Sequence, residues 1–308
     1  MKLAVILNGL SLKKPHFYKN TIPALERYFA VEVFETRSKN DAIGLAAKAV
    51  AKKFDVIVSA GGDGTLHQVI NGMLTDVGDM ERLPALAVLP LGSGNDFART
   101  LYVTPADIDI VEILREFKTV SCDVGELTYS VSPPSTGVAV MKASRYFLNV
   151  VDVGMGPVVV RKVLESGRGL GSAVAYYKSI VSTFFHYIPT RLSARTPYWT
   201  WTDLVRTLAV ANGRYYGNGL CIAPEAKVDD SRLNVFACGN VSVLDFIIQS
   251  LPLKAGRKVR HRSVKYFECQ RVDISSDDPL EIEADGEILG WLPATVKVSP
   301  IKLNVLRG

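Results

Sequence analysis

Apolar and polar positions along the first 125 residues predict strands and helices in turn. Short apolar runs bounded by polar residues predict strands at residues 3–7, 31–35, 55–59 and 85–89. Helical spacing of apolar residues predicts helices at residues 21–28, 41–53, 66–74, 96–101 and 107–117. Asp41 is a candidate N-cap for the second of these helices. Because strands and helices alternate, we predict an α/β domain with a parallel, doubly wound sheet over residues 1–125.

The pattern changes after residue 119 to strands with few helices between them. The predicted strands are residues 120–129, 146–153, 192–194, 204–211, 233–238, 264–267, 271–275, 281–284 and 295–298. Helical spacing is confined to residues 172–187 and 243–251. Such a run predicts a second, mainly antiparallel domain, a β-sandwich, over residues 126–299.

Composition narrows the class of protein without identifying it. The chain has 308 residues, 48% of them hydrophobic and 22% charged, as is ordinary for a globular protein. A net charge of +5 is too small to indicate nucleic-acid binding, but it suits an anionic membrane or a phosphorylated ligand. The four cysteines are widely spaced and form no Cys-x-x-Cys pair, which favours a reducing compartment. We see no leader and no apolar run of transmembrane length, and therefore predict a cytoplasmic protein.

The most informative segment follows the third predicted strand and reads Ser-Ala-Gly-Gly-Asp-Gly-Thr over residues 59–65. Gly61, Gly62 and Gly64 let the backbone turn sharply and approach a ligand with no Cβ in the way. N–H groups of such a turn can face phosphate oxygens, helped by a helix that starts just beyond it. Asp63 could orient a ligand hydroxyl or a metal-bound water. The alternative is an ordinary corner between a strand and a helix.

A second glycine-rich turn follows the fourth predicted strand, where residues 91–99 read Leu-Gly-Ser-Gly-Asn-Asp-Phe-Ala-Arg. Asn95 and Asp96 are good N-cap residues, which is the structural alternative to a role in binding. Two such turns in one parallel sheet should lie side by side at the carboxyl ends of the strands. Open α/β folds bind ligands at that edge.

Together these motifs resemble the diacylglycerol kinase catalytic family, which includes diacylglycerol, sphingosine and ceramide kinases and many bacterial lipid kinases. In the first half the resemblance rests on residues 61–65, 71–72 and 90–98. In the second half it rests on residues 211–233 and on the Glu-Ala-Asp-Gly-Glu segment at residues 283–287. The motifs occur in the family's order and span nearly the whole chain.

The resemblance implies a kinase that transfers the γ-phosphate of ATP to a lipid hydroxyl, with diacylglycerol as the first candidate acceptor. It implies that Glu287 is the general base and that Asp63 takes part in catalysis. The residues expected to hold the nucleotide are Asn8, Thr36, Gly61, Gly62, Asp63, Gly64, Thr65, Gly92, Ser93 and Asn95. The alternative for Asn8 and Thr36 is a simple role as strand-end caps.

The resemblance also implies two uses of Mg²⁺, one with ATP and one in a loop of the second domain. In the loop, the Asp230 carboxylate and the backbone carbonyls of Lys227 and Arg232 would be the oxygen ligands that a hard cation prefers. A turn is the alternative explanation for residues 229–231. Asp63, Asp96 and Asp123 form a looser set that could organise the catalytic metal through water. The family also places the C-terminal strand, here about residues 300–308, in the first domain.

The sequence departs from the family pattern in several places. Its usual Asn-Pro-x-Ser-Gly start reads Asn-Gly-Leu-Ser-Leu at residues 8–12, where Lys13 and Lys14 follow and could compensate. Gln68 replaces a glutamate, Asn218 replaces one of three glycines, and Ser231 replaces the glycine after Asp230. The Gly-Asp-Gly core and Glu287 are kept.

Two other functions stay open at this point. A kinase that phosphorylates NAD also carries Gly-Gly-Asp-Gly-Thr, although residues 91–98 and 285–287 argue against it. A non-catalytic nucleotide or lipid sensor would explain the altered residues 8–12. Asp-Gly is in addition a favoured two-residue hairpin turn, so Asp285 and Gly286 could serve structure alone.

A membrane surface is the predicted location of the lipid substrate. A basic segment beside the apolar residues 246–253 could rest on anionic headgroups in a transient, peripheral contact. Its members are Lys254, Arg257, Lys258, Arg260, His261, Arg262 and Lys265. A solvated basic face is the alternative. Edge strands of the second domain could also pair two copies into a homodimer.

Overall fold

The computed structural model describes residues 1–75, 83–102, 108–134, 141–165 and 172–308, except for the side chains of residues 172–177. Contacts divide these residues into two compact units. The first unit comprises Met1–Cys122 with Ile301–Gly308, and the second comprises Asp123–Pro300. Residue 107, where a helix is predicted to start, lies outside these ranges. So do residues 135–137 of the Ser-Pro-Pro-Ser-Thr-Gly segment at 132–137, whose composition predicts an exposed hairpin loop. The side chains of Tyr176 and Tyr177, in the helix predicted at 172–187, also lie outside them.

The first unit alternates strands and helices. Its strands are β1 (Lys2–Leu7), β2 (Ala30–Glu35), β3 (Val56–Gly61) and β4 (Ala85–Pro90). Its helices are α1 (Lys14–His16), a π-helical segment (Phe17–Thr21), α2 (Ile22–Glu26), α3 (Asp41–Ala51), α4 (Asp63–Met73), α5 (Asp96–Leu101) and α6 (Ile110–Glu116). Strand β5 (Thr119–Ser130) begins here and continues into the second unit.

A parallel sheet in the order β4-β3-β1-β2 is the core of the first unit. Strands β3 and β4 are buried along their whole length, as expected for a parallel sheet with both faces covered. The last strand of the chain, β16 (Glu287–Leu306), pairs in parallel with β4 through Val305 and Leu86. Both glycine-rich segments therefore follow the carboxyl ends of adjacent strands.

Two local predictions for this unit were wrong in detail. The helix predicted from residue 66 begins at Asp63, so the Gly-Asp-Gly segment is the first turn of α4 and not a loop before it. The N-cap of α3 is Asn40, at φ 68°, and not Asp41. The Asp41 carboxylate instead accepts hydrogen bonds from the backbone N–H groups of Arg37 and Ser38, which closes the preceding turn.

The second unit is mainly antiparallel. Besides the rest of β5 and β16, its strands are β6 (Lys142–Phe147), β7 (Val150–Gly154), β8 (Thr190–Arg195), β9 (Thr200–Ala211), β10 (Tyr215–Tyr216), β11 (Leu220–Cys221), β12 (Leu233–Gly239), β13 (Val264–Cys269), β14 (Arg271–Ser275) and β15 (Glu281–Ala284). Its helices are α7 (Met155–Glu165), α8 (Ser172–His186) and α9 (Val243–Lys254).

Strand pairing in the second unit closes a ring. Antiparallel pairs join β9 to β7, β7 to β15, β15 to β16, β16 to β14, β14 to β8 and β8 back to β9. Strands β12 and β13 extend the sheet from β9. The strand predicted at 146–153 is interrupted at Leu148 and Asn149, and α7 was not predicted at all.

Alternation along the strands separates two cores in this unit. Leu208 and Val210 of β9 lie in one core, with residues from most of the ring. Ala209 and Ala211 face a second core, which is shared with α7, α8 and α9. No helix among the described residues is long and apolar enough to cross a membrane.

Candidate functional site

The two glycine-rich turns of the first unit are in contact with each other. A Cβ on Gly62 would lie 3.3 Å from Cα of Gly92, and a Cβ on Gly92 would clash with Cα of Gly62. The N–H groups of Leu91 and Gly92 donate to the Gly61 carbonyl at 2.9 and 3.2 Å. Glycine is required at position 92, and a Cβ at position 62 would be a tight contact that needs a small shift of its neighbour. The two turns form a continuous backbone surface at the ends of β3 and β4.

The N-terminus of α4 forms one wall of this surface. Gly62 is its N-cap residue and has no side chain to cap the helix. The N–H groups of a first helical turn have no acceptor within the helix, and the helix dipole adds partial positive charge there. Thr65, whose side chain packs where a Cβ of Gly61 would stand, contributes a hydroxyl. Such an end suits a phosphate group.

The end of β1 joins the same surface through its polar side chains. The Asn8 amide donates to Oγ1 of Thr65 at 3.3 Å and accepts from the Leu10 N–H at 3.0 Å. Oγ1 of Thr36, which follows β2, accepts from the N–H of Gly9 at 3.1 Å. Asn8 and Thr36 therefore support the 8–11 loop beside α4, as strand-end residues do, and they lie next to the predicted phosphate contacts.

The second turn is closed by Asn95, which adopts a left-handed conformation at φ 52°. Its side chain accepts from the Gly92 N–H at 3.1 Å and donates to the Gly92 carbonyl at 2.8 Å, so it does not cap α5. The acceptor for the Phe97 N–H comes instead from Oδ1 of Asp63, at 3.2 Å. Asp63 thus ties the first turn to the second. Ser93 lies exposed at the tip.

Lys14, one of two lysines after the altered residues 8–12, forms an ion pair with Glu35, and Tyr18 donates to the same carboxylate. These contacts lower the pKa of Glu35, chiefly through the hydrogen bond from Lys14. The charge of Lys14 is therefore shared with Glu35.

The predicted base, Glu287, lies in the second unit at the start of β16. It follows a tight turn in which Asp285 and Gly286 both have positive φ, 50° and 86°. The buried Asp285 carboxylate accepts from the N–H groups of Leu148, Asn149 and Val150 at 3.0–3.1 Å. Glu283 accepts from the Gly286 N–H at 2.8 Å. These hydrogen bonds fix the conformation of the hairpin, and Glu287 is half-buried where its second strand begins.

The predicted metal loop wraps around Asp123. Oδ2 of Asp123 accepts from the Ser231 N–H at 2.6 Å, and the Asp123 N–H donates to the Val228 carbonyl. Ser231 has φ 57°, the conformation for which the family uses glycine. Burial, with a contribution from Asp123, raises the pKa of Asp230.

The three predicted ligands, Lys227, Asp230 and Arg232, are exposed on this loop. The Arg232 N–H donates to Oδ1 of Asp230 at 3.0 Å. In the described ranges, no three His, Cys, Asp or Glu side chains are grouped closely enough to hold a metal ion. A cation in this loop would therefore depend on carbonyl oxygens, and the site stays a prediction.

A cavity that sequence reasoning missed lies between the sheet and helices α7, α8 and α9. Its volume is about 80 Å³, it is partly open to solvent, and its lining is mostly apolar. Ile180, Phe236 and Leu253 are typical of that lining. Its main polar members are Asp152, Arg206, Thr207 and Tyr216.

Two fully buried carboxylates meet at one end of this cavity. The Tyr216 hydroxyl lies 2.9 Å from Oδ2 of Asp152 and 2.8 Å from Oε1 of Glu283. Since one hydroxyl donates one proton, the second contact requires that a carboxyl group donate to the tyrosine oxygen. Burial accordingly raises the pKa of Asp152 to about 7 and that of Glu283 well above its usual value. The sequence offered one signal of this buried pair, the charged Asp152 inside the apolar run at residues 150–154.

Comparison with known proteins agrees with this geometry. Residues 2–127 match the diacylglycerol kinase catalytic domain, and residues 149–307 match the YegS C-terminal NAD kinase beta sandwich-like domain. The chain therefore belongs to the diacylglycerol kinase catalytic family. Its second half is of the YegS type.

Curated relatives match over most of their length. A diacylglycerol kinase from Staphylococcus haemolyticus is 26% identical over 310 residues, covering 94% of this chain and 83% of the relative. A probable lipid kinase YegS-like from Xanthomonas euvesicatoria is 26% identical over 284 residues, covering 92% and 88%. A crystal structure of a putative diacylglycerol kinase from Bacillus anthracis superposes with a TM-score of 0.76 at 20% identity, covering 100% and 97%, and shows the shared fold.

Proposed function

We propose that this protein is an ATP-dependent lipid kinase that phosphorylates the hydroxyl of diacylglycerol. The observation that carries the proposal is the backbone contact between Gly62 and Gly92, which leaves two glycine turns and a helix N-terminus facing one point. Two phosphate groups of a nucleotide fit such a surface, because backbone N–H groups can reach them without steric hindrance. Asn8, Thr36, Thr65, Ser93 and Asn95 would complete it.

The carboxylates near the glycine turns suit a divalent cation that arrives with ATP. A Cβ on Gly94 would lie 3.1 Å from Oδ2 of Asp63 and 3.8 Å from Oδ2 of Asp96. Mg²⁺ prefers oxygen ligands and commonly combines one or two carboxylates with water and substrate phosphates. Bound there, Mg²⁺ would neutralise charge on the phosphates. Asp63 would orient its water shell while holding the second turn.

Transfer of the γ-phosphate to the lipid hydroxyl requires a base that takes the hydroxyl proton and an open approach to the γ-phosphorus. In the proposed step, Glu287 accepts the proton of the lipid hydroxyl, and the hydroxyl oxygen forms a bond to the γ-phosphorus. The bond between that phosphorus and the bridging oxygen breaks, and ADP leaves. Asp285 is a positioning residue, because its three N–H contacts fix the turn that carries Glu287.

The apolar cavity of the second unit supports a lipid acceptor. Its mostly apolar walls suit the carbons of an acyl chain, and burying each CH₂ gives about 0.8 kcal/mol. A polar acceptor such as NAD gains nothing from these walls. The relatives named diacylglycerol kinase suggest the glycerol headgroup. The fold we propose for this chemistry pairs a doubly wound α/β domain with a β-sandwich.

A direct test is mass-spectrometric detection of phosphorylated products after incubation with Mg²⁺, ATP and a total lipid extract, followed by diacylglycerol micelles and by NAD separately. We expect phosphatidic acid as the product. Glu287→Gln should lower turnover by about 10² to 10⁴ with nucleotide binding retained, since that is the usual contribution of a general base. Glu281→Gln on the same hairpin loses only its ion pair with Arg161 and should keep full turnover.

Other products would redirect the proposal. Phosphorylated NAD as the sole product would favour the soluble kinase considered from the sequence. Absence of any product, with ATP bound, would favour a sensor. Unchanged turnover in Glu287→Gln would remove Glu287 from the mechanism.

A further inference from the structure

Helix α9 presents large apolar side chains on the face that points away from the protein. Leu244, Ile247, Ile248 and Leu251 are 68%, 45%, 53% and 71% exposed. Their spacing of three and four residues places them in one stripe along the helix. The stripe is anchored, because Ser242 caps the helix by accepting from the Asp245 N–H at 3.1 Å. An exposed stripe of this kind marks an interaction surface.

The opposite face of the same helix lines the cavity. Phe246, Gln249 and Leu253 belong to the cavity wall, and the Phe246 ring stacks on Phe184 of α8 at 4.7 Å between centroids. Arg206 fixes this arrangement by donating to the carbonyls of Phe184 and Val241. One face of α9 therefore lines the cavity, and its opposite face is exposed. The cavity lies one helix thickness away from that exposed face.

The chain that follows α9 is strongly basic. Between Val243 and Lys265 there are six Lys or Arg residues and a single acidic residue, Asp245. Their net charge of +5 equals that of the entire chain. Arg257, Arg260 and Arg262 are exposed, whereas Lys258 is paired with Glu225. An apolar stripe flanked by positive charge matches the boundary of an anionic bilayer, where acyl chains and phosphate headgroups meet.

We infer that α9 and the basic segment 254–265 form a membrane-docking surface that lies in the interface of an anionic bilayer. The stripe enters the headgroup region, and the arginines contact lipid phosphates. In the proposed lipid kinase, on which this part of the inference rests, docking would place the bilayer against the helix that walls the cavity. The acceptor could then pass between the two without crossing water.

A second copy of this chain fits the surface less well. Packing two copies through the same stripe would bring two basic segments close together, and like charges repel. The paired surface would also lack the acidic groups needed to neutralise the arginines. The charge pattern therefore selects an anionic membrane as the occupant.

The test is flotation of the full chain with vesicles of phosphatidylglycerol and phosphatidylcholine, compared with phosphatidylcholine alone. We expect binding to the anionic vesicles only, weakened when salt rises from about 0.1 M to about 1 M and the Debye length falls from about 10 Å to about 3 Å. Arg257→Gln with Arg260→Gln should lower the partition coefficient about thirtyfold, at about 1 kcal/mol per basic residue. Leu244→Gln with Leu251→Gln should lower it at least about tenfold.

Matched controls lie elsewhere in the second unit. Tyr198→Gln removes a large side chain that is 93% exposed, and Lys142→Gln with Arg145→Gln removes two exposed charges from β6. Both controls should bind vesicles like the wild type. All variants should melt within a few degrees of the wild type, since only exposed side chains change.

Several outcomes would overturn the inference. They are equal binding to neutral and anionic vesicles, equal loss in the controls, or a wild-type dimer that Leu251→Gln dissociates. Because flotation needs neither ATP nor turnover, failed docking is distinct from a failed kinase function. If both proposals hold, Leu244→Gln with Leu251→Gln will lose turnover on vesicles and keep it on a short-chain, water-soluble diacylglycerol.

Discussion

Burial controls the protonation of the two carboxylates that meet at Tyr216. The tyrosine hydroxyl stands between Asp152 and Glu283, and neither carboxylate has any exposed surface. Thr207 donates to Asp152 from a third direction, at 3.1 Å. Charging both acids would place two negative charges in an apolar region, so the native state keeps a proton that the unfolded chain would release.

This proton makes stability depend on pH in a direction opposite to that of a salt-bridged carboxylate. Asp152 has a usual pKa of 3.8 and a native pKa of about 7. Between these values the native state binds more protons than the unfolded state, so stability falls as pH rises from about 4 to about 7, by about 1.4 kcal/mol per pH unit for each proton. Urea unfolding of the wild type and of Asp152→Asn measures the difference in slope. Equal slopes would contradict the shared proton.

Gly92 should be essential for the nucleotide surface for a steric reason. A Cβ there would clash with Cα of Gly62, which is backbone and cannot rotate away. We expect Gly92→Ala to abolish ATP binding measured by calorimetry and to cost about 1–3 kcal/mol of stability. Gly44→Ala is the control, since a Cβ on Gly44 in α3 meets nothing within 4 Å. It should stabilise the protein by about 1 kcal/mol and leave ATP binding unchanged.

Ser231 occupies a backbone conformation better suited to glycine. Its φ of 57° costs a residue with a Cβ roughly 1–2 kcal/mol. Ser231→Gly should therefore raise the free energy of unfolding by about 1 kcal/mol, because its N–H contact to Asp123 survives the change. Thermal unfolding will measure this gain. The control, Ser144→Gly in strand β6, should lower the free energy of unfolding. If Ser231→Gly also lowered it, the backbone of Ser231 would not be strained.

At the scale of elements, the sequence predicted those helices and strands that local patterns determine, and it missed features that depend on contacts between distant residues. Strands β1, β3 and β4 were predictable because each is a short apolar run buried by the sheet itself. Helix α7 was not, since its Val158, Val159 and Val160 are β-branched and read locally as a strand. The Tyr216 contacts join residues 64 and 67 positions apart, which no local pattern reveals.

The candidate site divides in the same way. Gly61–Thr65 and Gly92–Asn95 were recognisable because a glycine turn after a strand is a local signal. Its supporting contacts, such as Asp63 to the Phe97 N–H, depend on how two turns pack. Asp285 combines the two cases. Its place in an Asp-Gly turn is a local signal, whereas its three backbone donors come from residues 148–150, far away in the sequence.

The hairpin between β15 and β16 should depend strongly on Asp285. Asp285→Ala leaves three buried N–H groups without their acceptor, and each unsatisfied donor costs about 1–3 kcal/mol. We expect a loss of at least about 3 kcal/mol in urea unfolding, with lower turnover, because the turn that positions Glu287 loosens. Asp277→Ala in an exposed turn should change stability by less than about 0.5 kcal/mol. A similar effect of the two changes would contradict the anchoring role.

At the scale of the whole molecule, the chain leaves the first unit at Asp123 and returns to it at Ile301. The returning residues are part of the first unit's core. Leu303, Val305 and Leu306 are fully buried, and the Tyr102 hydroxyl donates to the Leu306 carbonyl at 3.5 Å. The first unit thus depends on residues that follow the second unit in the chain.

Truncation after Pro300 should therefore unfold the first unit while sparing the second. Burying three large apolar side chains contributes about 5–9 kcal/mol. This is comparable with the free energy of unfolding of a whole domain, which is about 5–15 kcal/mol. The two cores of the second unit contain none of the removed residues. Limited proteolysis should then digest residues 1–122 and leave a resistant fragment near residues 123–300, whereas removal of Gly308 alone should change nothing. Equal resistance of both units after truncation would show that β4 does not need its C-terminal partner.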